Sequence, residues 1–193
     1  MSRAAWPPLL RALHISALAV LLAAVVWSPC SGQTDAELAE YQIKAAFLYR
    51  FGNYIEWPQE AFARTDSALV IGVLGADFVA DELARTVGGR NVSGRPITVR
   101  KLRRGDAVAG VHMLFIGRSE DARLPDLLAA TKGRAVLTVT ESDPTSTPSS
   151  VINFIVIDDK VRFDITLEPA DQGNLKISSR LLAVARKVIG RPS

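Results

Sequence analysis

Ala68-Leu69-Val70-Ile71-Gly72-Val73-Leu74-Gly75 is the run whose reading decides the fold. It is short, uncharged and rich in β-branched residues, the pattern of a strand buried on both faces. The period then changes. Asp77 is placed to cap a helical stretch over residues 78–87, which Gly88-Gly89 ends. The same alternation continues downstream. Residues 96–102 read as a second strand and residues 111–117 as a third buried one. Ser119 is placed to cap a helix running to Thr131, and residues 135–140 read as a fourth strand. This rhythm predicts an α/β fold: a single domain with a mixed, largely parallel sheet and flanking helices.

The C-terminal part changes character. Ser142-Asp143-Pro144-Thr145-Ser146-Thr147-Pro148-Ser149-Ser150 is a low-complexity loop. Residues 151–157 and 160–167 flank Asp158-Asp159, which reads as the turn of a β-hairpin. A short helical turn is expected over residues 169–173. Ser178 then caps a final helix, with Leu181, Leu182, Ala185 and Val188 inward and Arg186-Lys187 near its negative end. The expected close is thus a β-hairpin plus helix.

Upstream lies the densest aromatic stretch of the chain: Glu40-Tyr41-Gln42-Ile43-Lys44-Ala45-Ala46-Phe47-Leu48-Tyr49-Arg50-Phe51-Gly52-Asn53-Tyr54-Ile55-Glu56-Trp57-Pro58. Helical spacing gathers Ile43, Phe47, Phe51 and Tyr54 on one side, continued by Tyr41, Leu48 and Ile55. The remaining polar strip, Gln42, Tyr49 and Asn53, is narrow, so protein must cover this helix. Trp57-Pro58 stops it, because the residue before proline is pushed out of the α region. Lys44 projects into the aromatic face, one turn after Glu40. It either lays its stem on the rings and snorkels its ammonium to water, or stands as a fixed charge inside a binding groove.

Residues 1–32 read as a secretory signal. Arg3 and Arg11 form the positive region, residues 15–27 are uncharged and apolar, and Ser28-Pro29-Cys30-Ser31-Gly32 offers small residues for cleavage. Cleavage between Cys30 and Gln33 leaves one domain, residues 33–193, in the periplasm. Trp27-Ser28-Pro29 is a poor approach to a lipidated cysteine, so a lipoprotein is not expected. Export removes two of the 23 basic residues and none of the 20 acidic ones, leaving a nearly neutral chain. The basic run Arg100-Lys101-Leu102-Arg103-Arg104 lacks interleaved aromatics, so nucleic acid is not an expected partner.

Subtraction is informative about chemistry. The chain has two histidines and one cysteine; His14 and Cys30 leave with the signal, and His112 remains alone inside a strand. That disfavours Ser-His-Asp and Cys-His nucleophiles and transition-metal sites alike. No catalytic, cofactor or metal residue is expected. Gly72-Val73-Leu74-Gly75-Ala76-Asp77 fails the Gly-x-Gly-x-x-Gly spacing of a dinucleotide site. Gly117-Arg118-Ser119 is a strand-end turn able to present N–H groups, with a guanidinium beside them, to a small anion.

Two blocks together resemble the YfiR/HmsC-like family. The first is Glu40-Tyr41-Gln42-Ile43-Lys44-Ala45-Ala46-Phe47-Leu48-Tyr49-Arg50-Phe51 followed by Trp57-Pro58. The second runs from Ile152-Asn153-Phe154 through Val161-Arg162-Phe163-Asp164-Ile165 to Leu175-Lys176-Ile177-Ser178-Ser179-Arg180-Leu181-Leu182. Val73-Leu74-Gly75 and Gly94-Arg95-Pro96-Ile97 fall between them in the family's order. The resemblance implies a non-enzymatic regulator that represses the periplasmic domain of an inner-membrane diguanylate cyclase. It also implies control of cyclic di-GMP, exopolysaccharide and biofilm, and relief by an outer-membrane lipoprotein. Other family members sit beside sensor kinases or transport receptors. Best-known members carry cysteines; the expected mature domain here has none, so redox control does not carry over.

Tyr49, Tyr54, Trp57 and Lys44 are the candidate partner-contact residues, since aromatics of this kind are enriched at interface hot spots. Trp57 packing the helix end onto the sheet is the alternative for that residue. A homodimer is compatible with the same aromatic surface. A second hypothesis from a different class is a small-ligand binding module serving a sensor kinase or transport system, with Gly117, Arg118 and Ser119 at its site.

Overall fold

The structure, a computed structural model, describes residues 34–142 and 149–190. The signal read at 1–32 and the centre of the Ser/Pro-rich loop, 143–148, lie outside the described residues. The compact unit begins at Asp35. Its elements in order are α1 (Asp35–Gly52), β1 (Ile55–Glu56), β2 (Leu69–Leu74), α2 (Asp77–Val87), β3 (Asn91–Val92) and β4 (Arg95–Leu102). There follow β5 (Met113–Ile116), a 3-10 segment (Arg118–Arg123), α3 (Leu124–Thr131), β6 (Leu137–Thr140) and β7 (Ile152–Ile157). The chain closes with β8 (Lys160–Thr166), α4 (Leu167–Gln172), β9 (Lys176–Ile177), α5 (Ser179–Leu182) and β10 (Lys187–Ile189). No described helix is long and apolar enough to cross a membrane.

Among the described residues the main sheet has eight strands, in the order β10-β8-β7-β6-β5-β2-β4-β3, and β1 pairs with β9 in a separate ribbon. The expected mixed, largely parallel sheet is what forms. β4, β2, β5, β6 and β7 run parallel, with β3 and β8 antiparallel to their neighbours and β10 parallel to β8. The run read first, β2, occupies the middle. Ile71 and Val73 point to one core, and Leu74 joins the other with Leu114 and Ile116. Burial on both faces is why β2 carries no charge.

One face is covered by α1 and α2, the other by α3 through Leu124, Leu127 and Leu128. Phe51 of α1 meets Phe163 and Phe154 at centroid distances of 5.1 and 5.7 Å. Phe154 and Phe163 are themselves cross-strand partners in the β7–β8 hairpin. The first helix is therefore fastened to the closing hairpin by rings, each pair adding about 0.5–1.5 kcal/mol beyond its area. Asp158 and Asp159, with φ of 49° and 57°, form the expected two-residue turn.

Four expectations are corrected. The buried face of α1 is centred on Lys44, Ala45, Leu48, Phe51 and Gly52, whereas Ile43 is exposed. Gly52 turns inward against Val92 and Leu69, which lie 3.1 and 3.3 Å from where its Cβ would stand, so that a larger side chain there would be crowded. Lys44 does not snorkel; it is 1% exposed. The final helix is a single turn. Arg186 forms a bidentate ion pair with Asp164, and its N–H bonds Phe163 O at 2.9 Å, drawing residues 187–189 into strand β10. Val188 accordingly lies half-exposed on an edge rather than on a helix's inner face. Finally, neither expected cap acts as one: Asp77 is the first helical residue after Ala76, and Ser119 lies within the 3-10 segment.

Candidate functional site: a cleft at the sheet's switch point

From β2 the chain turns toward one face of the sheet into α2, and from β5 toward the other into the 3-10 segment and α3. Between the carboxyl ends of two such strands a crevice opens, the place where open α/β sheets bind ligands. Here it is a cleft of about 670 Å³, lined by the ends of β2, β4 and β5 and by the first turns of α1 and α2.

The throat of the cleft is drawn shut by backbone. Ser119 donates its hydroxyl to Gly75 O at 2.9 Å, and a Cβ on Gly117 would stand 2.9 Å from that of Ala76. Gly75 itself has φ of +71°, which a side chain would strain. The two strand-end turns thus need glycine at both contacting positions.

Lys44 forms the floor. Its ammonium is paired with Glu40 one turn earlier on α1 and with Glu141, just past the end of β6. The other oxygen of Glu141 accepts the Arg118 N–H at 3.0 Å. One donor of the turn 117–119, the Arg118 N–H, is thus taken by a carboxylate of the chain itself. On the wall, Glu120 is buried and takes Arg104 at 3.0 Å and Arg123 at 3.2 Å. Both buried carboxylates of the cleft are committed to internal partners. At the mouth, Phe78 is 56% exposed and stacks on Tyr41 at 5.8 Å.

The structure thus brings Lys44 together with Gly117, Arg118 and Ser119, which sequence reasoning had assigned to separate roles. Tyr49, Tyr54 and Trp57 do not join them. All three are half-buried against the main core. Arg90 lies over the Tyr49 ring at 5.1 Å, and the backbone oxygen of Tyr54 accepts the Ser178 N–H at 2.9 Å. Trp57 donates its indole N–H to His112 O at 3.0 Å, at the amino end of β5.

Glu141, Glu120 and Phe78 escaped the sequence reading. A carboxylate directly after a buried strand says nothing of its partner 97 residues earlier. Phe78 did leave a signal: it falls outside the stripe Val79, Ala80, Leu83 and Val87 that α2 buries.

His112 sits at the end of the sheet opposite the cleft, buried as expected but in the bend just before β5 rather than inside the strand. Val70 N–H donates to its Nδ1 at 3.1 Å, so the proton is on Nε2, which donates to Ala61 O at 3.1 Å. Phe62 stacks on the imidazole at 4.3 Å, and Arg95 lies over the Phe62 ring at 3.7 Å. Burial first, and the Arg95 charge after it, lower the His112 pKa; the bond to Ala61 opposes them. Among the described residues no group of three or more His, Cys, Asp or Glu side chains could hold a metal ion.

The family model described as YfiR/HmsC-like matches residues 41–186, from the first aromatic of α1 to the guanidinium that anchors β10. The chain belongs to the YfiR/HmsC-like family. Comparison with curated proteins gives no match. In this YfiR/HmsC-like chain the two blocks quoted above prove to be packing partners: Phe51 of the first rests on Phe154 and Phe163 of the second. Asn153 adds a polar tie, its Oδ1 accepting from Thr140 Oγ1 and Ser142 N–H, both at 2.9 Å.

Proposed function

We propose that this protein is a periplasmic repressor that binds the sensor domain of an inner-membrane signalling enzyme, a diguanylate cyclase, and holds it inactive. The observation that carries the reading is the YfiR/HmsC-like match over residues 41–186, nearly the whole folded unit. The family is one of periplasmic regulators of diguanylate cyclase signalling. The site chemistry agrees with a regulator rather than a catalyst: Glu120 and Glu141 are tied to internal partners, and His112 has both ring nitrogens engaged. Export by the segment 1–32, with cleavage between Cys30 and Gln33, is part of the proposal, as is relief by an outer-membrane lipoprotein.

Gene deletion with complementation tests it. Deletion is expected to raise cellular cyclic di-GMP and biofilm, and the restored gene to lower both. Unchanged cyclic di-GMP overturns the cyclase assignment and makes a sensor kinase the next partner to assay. The small-ligand reading has one specific observation behind it, the cleft at the switch point; a ligand bound there would raise the melting temperature by mass action.

A further inference from the structure

We propose that the outer edge of β4 receives an extended, acidic segment of a partner protein as an added strand. β4 spans Arg95–Leu102, yet β3 covers it only at Arg95 and Pro96. Ser93 and Gly94, both at positive φ, make a two-residue hairpin turn in which Val92 and Arg95 are the hydrogen-bonded pair. With a period of two, Ile97, Val99 and Lys101 direct their N–H and C=O groups outward, away from β2. No described strand lies beyond them. Pro96 fits the same phase, since the position of its missing N–H faces away from β3.

The side chains along this edge say what the incoming strand should carry. Ile97 and Val99 pack on the α2 side and line a groove of about 550 Å³ with Ala84 and Val87. Apolar side chains of an added strand would enter there. Arg100 points to the opposite face and donates to Ala109 O at 3.3 Å, with no carboxylate partner among the described residues. Arg95 lies over Phe62 and bonds backbone carbonyls only, and the Arg103 side chain likewise has no carboxylate partner there. Within β4 Lys101 is neutralised, by Asp81 at 2.8 Å, and past its end Arg104 is neutralised by Glu120. The edge therefore offers apolar pockets on the α2 face, the uncompensated charge of Arg100 on the other, and at its start Arg95, which also lacks a carboxylate partner among the described residues.

Charge also decides between occupants. Basic side chains on an edge strand are a common guard against pairing. A second copy of this chain would bring arginines opposite arginines, which is destabilising. An acidic strand meets no such barrier, and strand addition supplies affinity through main-chain bonds and specificity through alternate side chains. The inference rests on the repressor reading only for the identity of the protein that supplies the strand.

The test uses the folded protein and a capped octapeptide of alternating Val and Glu. Hydrogen exchange at single-residue resolution is expected to slow about tenfold or more at the Ile97, Val99 and Lys101 amides when the peptide is added. An alternating Val/Lys peptide, or the acidic one N-methylated at alternate residues, is expected to leave them unchanged. Val99→Pro removes an outward N–H and Arg100→Glu reverses the charge. Both are expected to abolish protection by the acidic peptide, and Arg100→Glu to admit the basic one.

No protection at millimolar acidic peptide overturns the proposal. So does protection that rises with protein concentration alone, which would make a second copy the occupant. In cells, if gene deletion changes cyclic di-GMP while folded Val99→Pro and Arg100→Glu behave as wild type, the edge is overturned and the repressor reading stands. If the peptide result holds and deletion changes nothing, the repressor reading fails and the edge stands.

Discussion

Lys44, in the middle of α1, donates to the carboxylate of Glu141, 97 residues later at the carboxyl end of β6. The pair joins the first helix of the fold to the strand that precedes the Ser/Pro-rich loop. Its two side chains are 2% and 11% exposed, so neither charge is well hydrated. Glu40 and the Arg118 N–H complete the shell. Such a cluster adds little net stability compared with apolar packing, but breaking one side of it is expensive.

Lys44→Met is therefore expected to lose about 3–5 kcal/mol in chemical denaturation, because Glu141 and Glu40 lose the ammonium they share. Lys44→Met combined with Glu141→Gln should recover much of that, since both charges leave together while the glutamine carbonyl still accepts from Arg118. A single variant within about 1 kcal/mol of wild type would show that the pair is not held as described.

A second expectation concerns pH. The folded His112 binds its proton only below the ordinary value of 6.5, because burial disfavours the cation and Nδ1 already accepts from Val70. The unfolded imidazole binds it at that ordinary value. Between the two, the unfolded state holds more protons, so stability is complete above about pH 6.5 and falls as the pH drops through it. Denaturant midpoints at about pH 7.5 and about pH 5.5 measure this, with His112→Phe as the comparison. The variant should be less stable at both values yet lose less on acidification. Equal slopes would remove His112 from the account.

How much of this was legible in the sequence depends on whether a residue's fate is local. β2, α2, β4 and the β7–β8 hairpin were readable because period, glycines and turn residues act within a few positions. The one-turn α5 was not: Ser178 does cap it, but its end is fixed by Asp164 catching Arg186 from a neighbouring strand. The inward face of α1 was not readable either. Ile43 looks more apolar than Lys44 and Gly52, yet Lys44, paired with Glu141, and Gly52, set against Val92, turn inward, while Phe47 stays on Phe154 and Phe163. The candidate site was legible only in pieces, because Lys44 and the turn 117–119 are joined by a carboxylate that no local pattern marks.

Tyr49 and Trp57, proposed as partner contacts, separate once their surroundings are known. Trp57 uses its indole N–H inside the fold, on His112 O, and is half-buried against the core. Trp57→Ala should cost about 2 kcal/mol or more and lower the melting temperature, while Trp57→Phe should lose only the hydrogen bond, about 1 kcal/mol. Tyr49, half-buried at the core's margin, has the exposed guanidinium of Arg90 over its ring at 5.1 Å, a contact that adds about 0.5–1 kcal/mol. Tyr49→Ala is expected to leave melting within a few degrees of wild type and to raise cellular cyclic di-GMP, since aromatic anchors concentrate binding energy. Abundance is measured by immunoblot in the same cells, so that loss of protein is not read as loss of repression. Wild-type cyclic di-GMP at wild-type abundance would remove Tyr49 from the partner surface. A large melting loss would make it a core residue, leaving the β4 edge to carry the interaction.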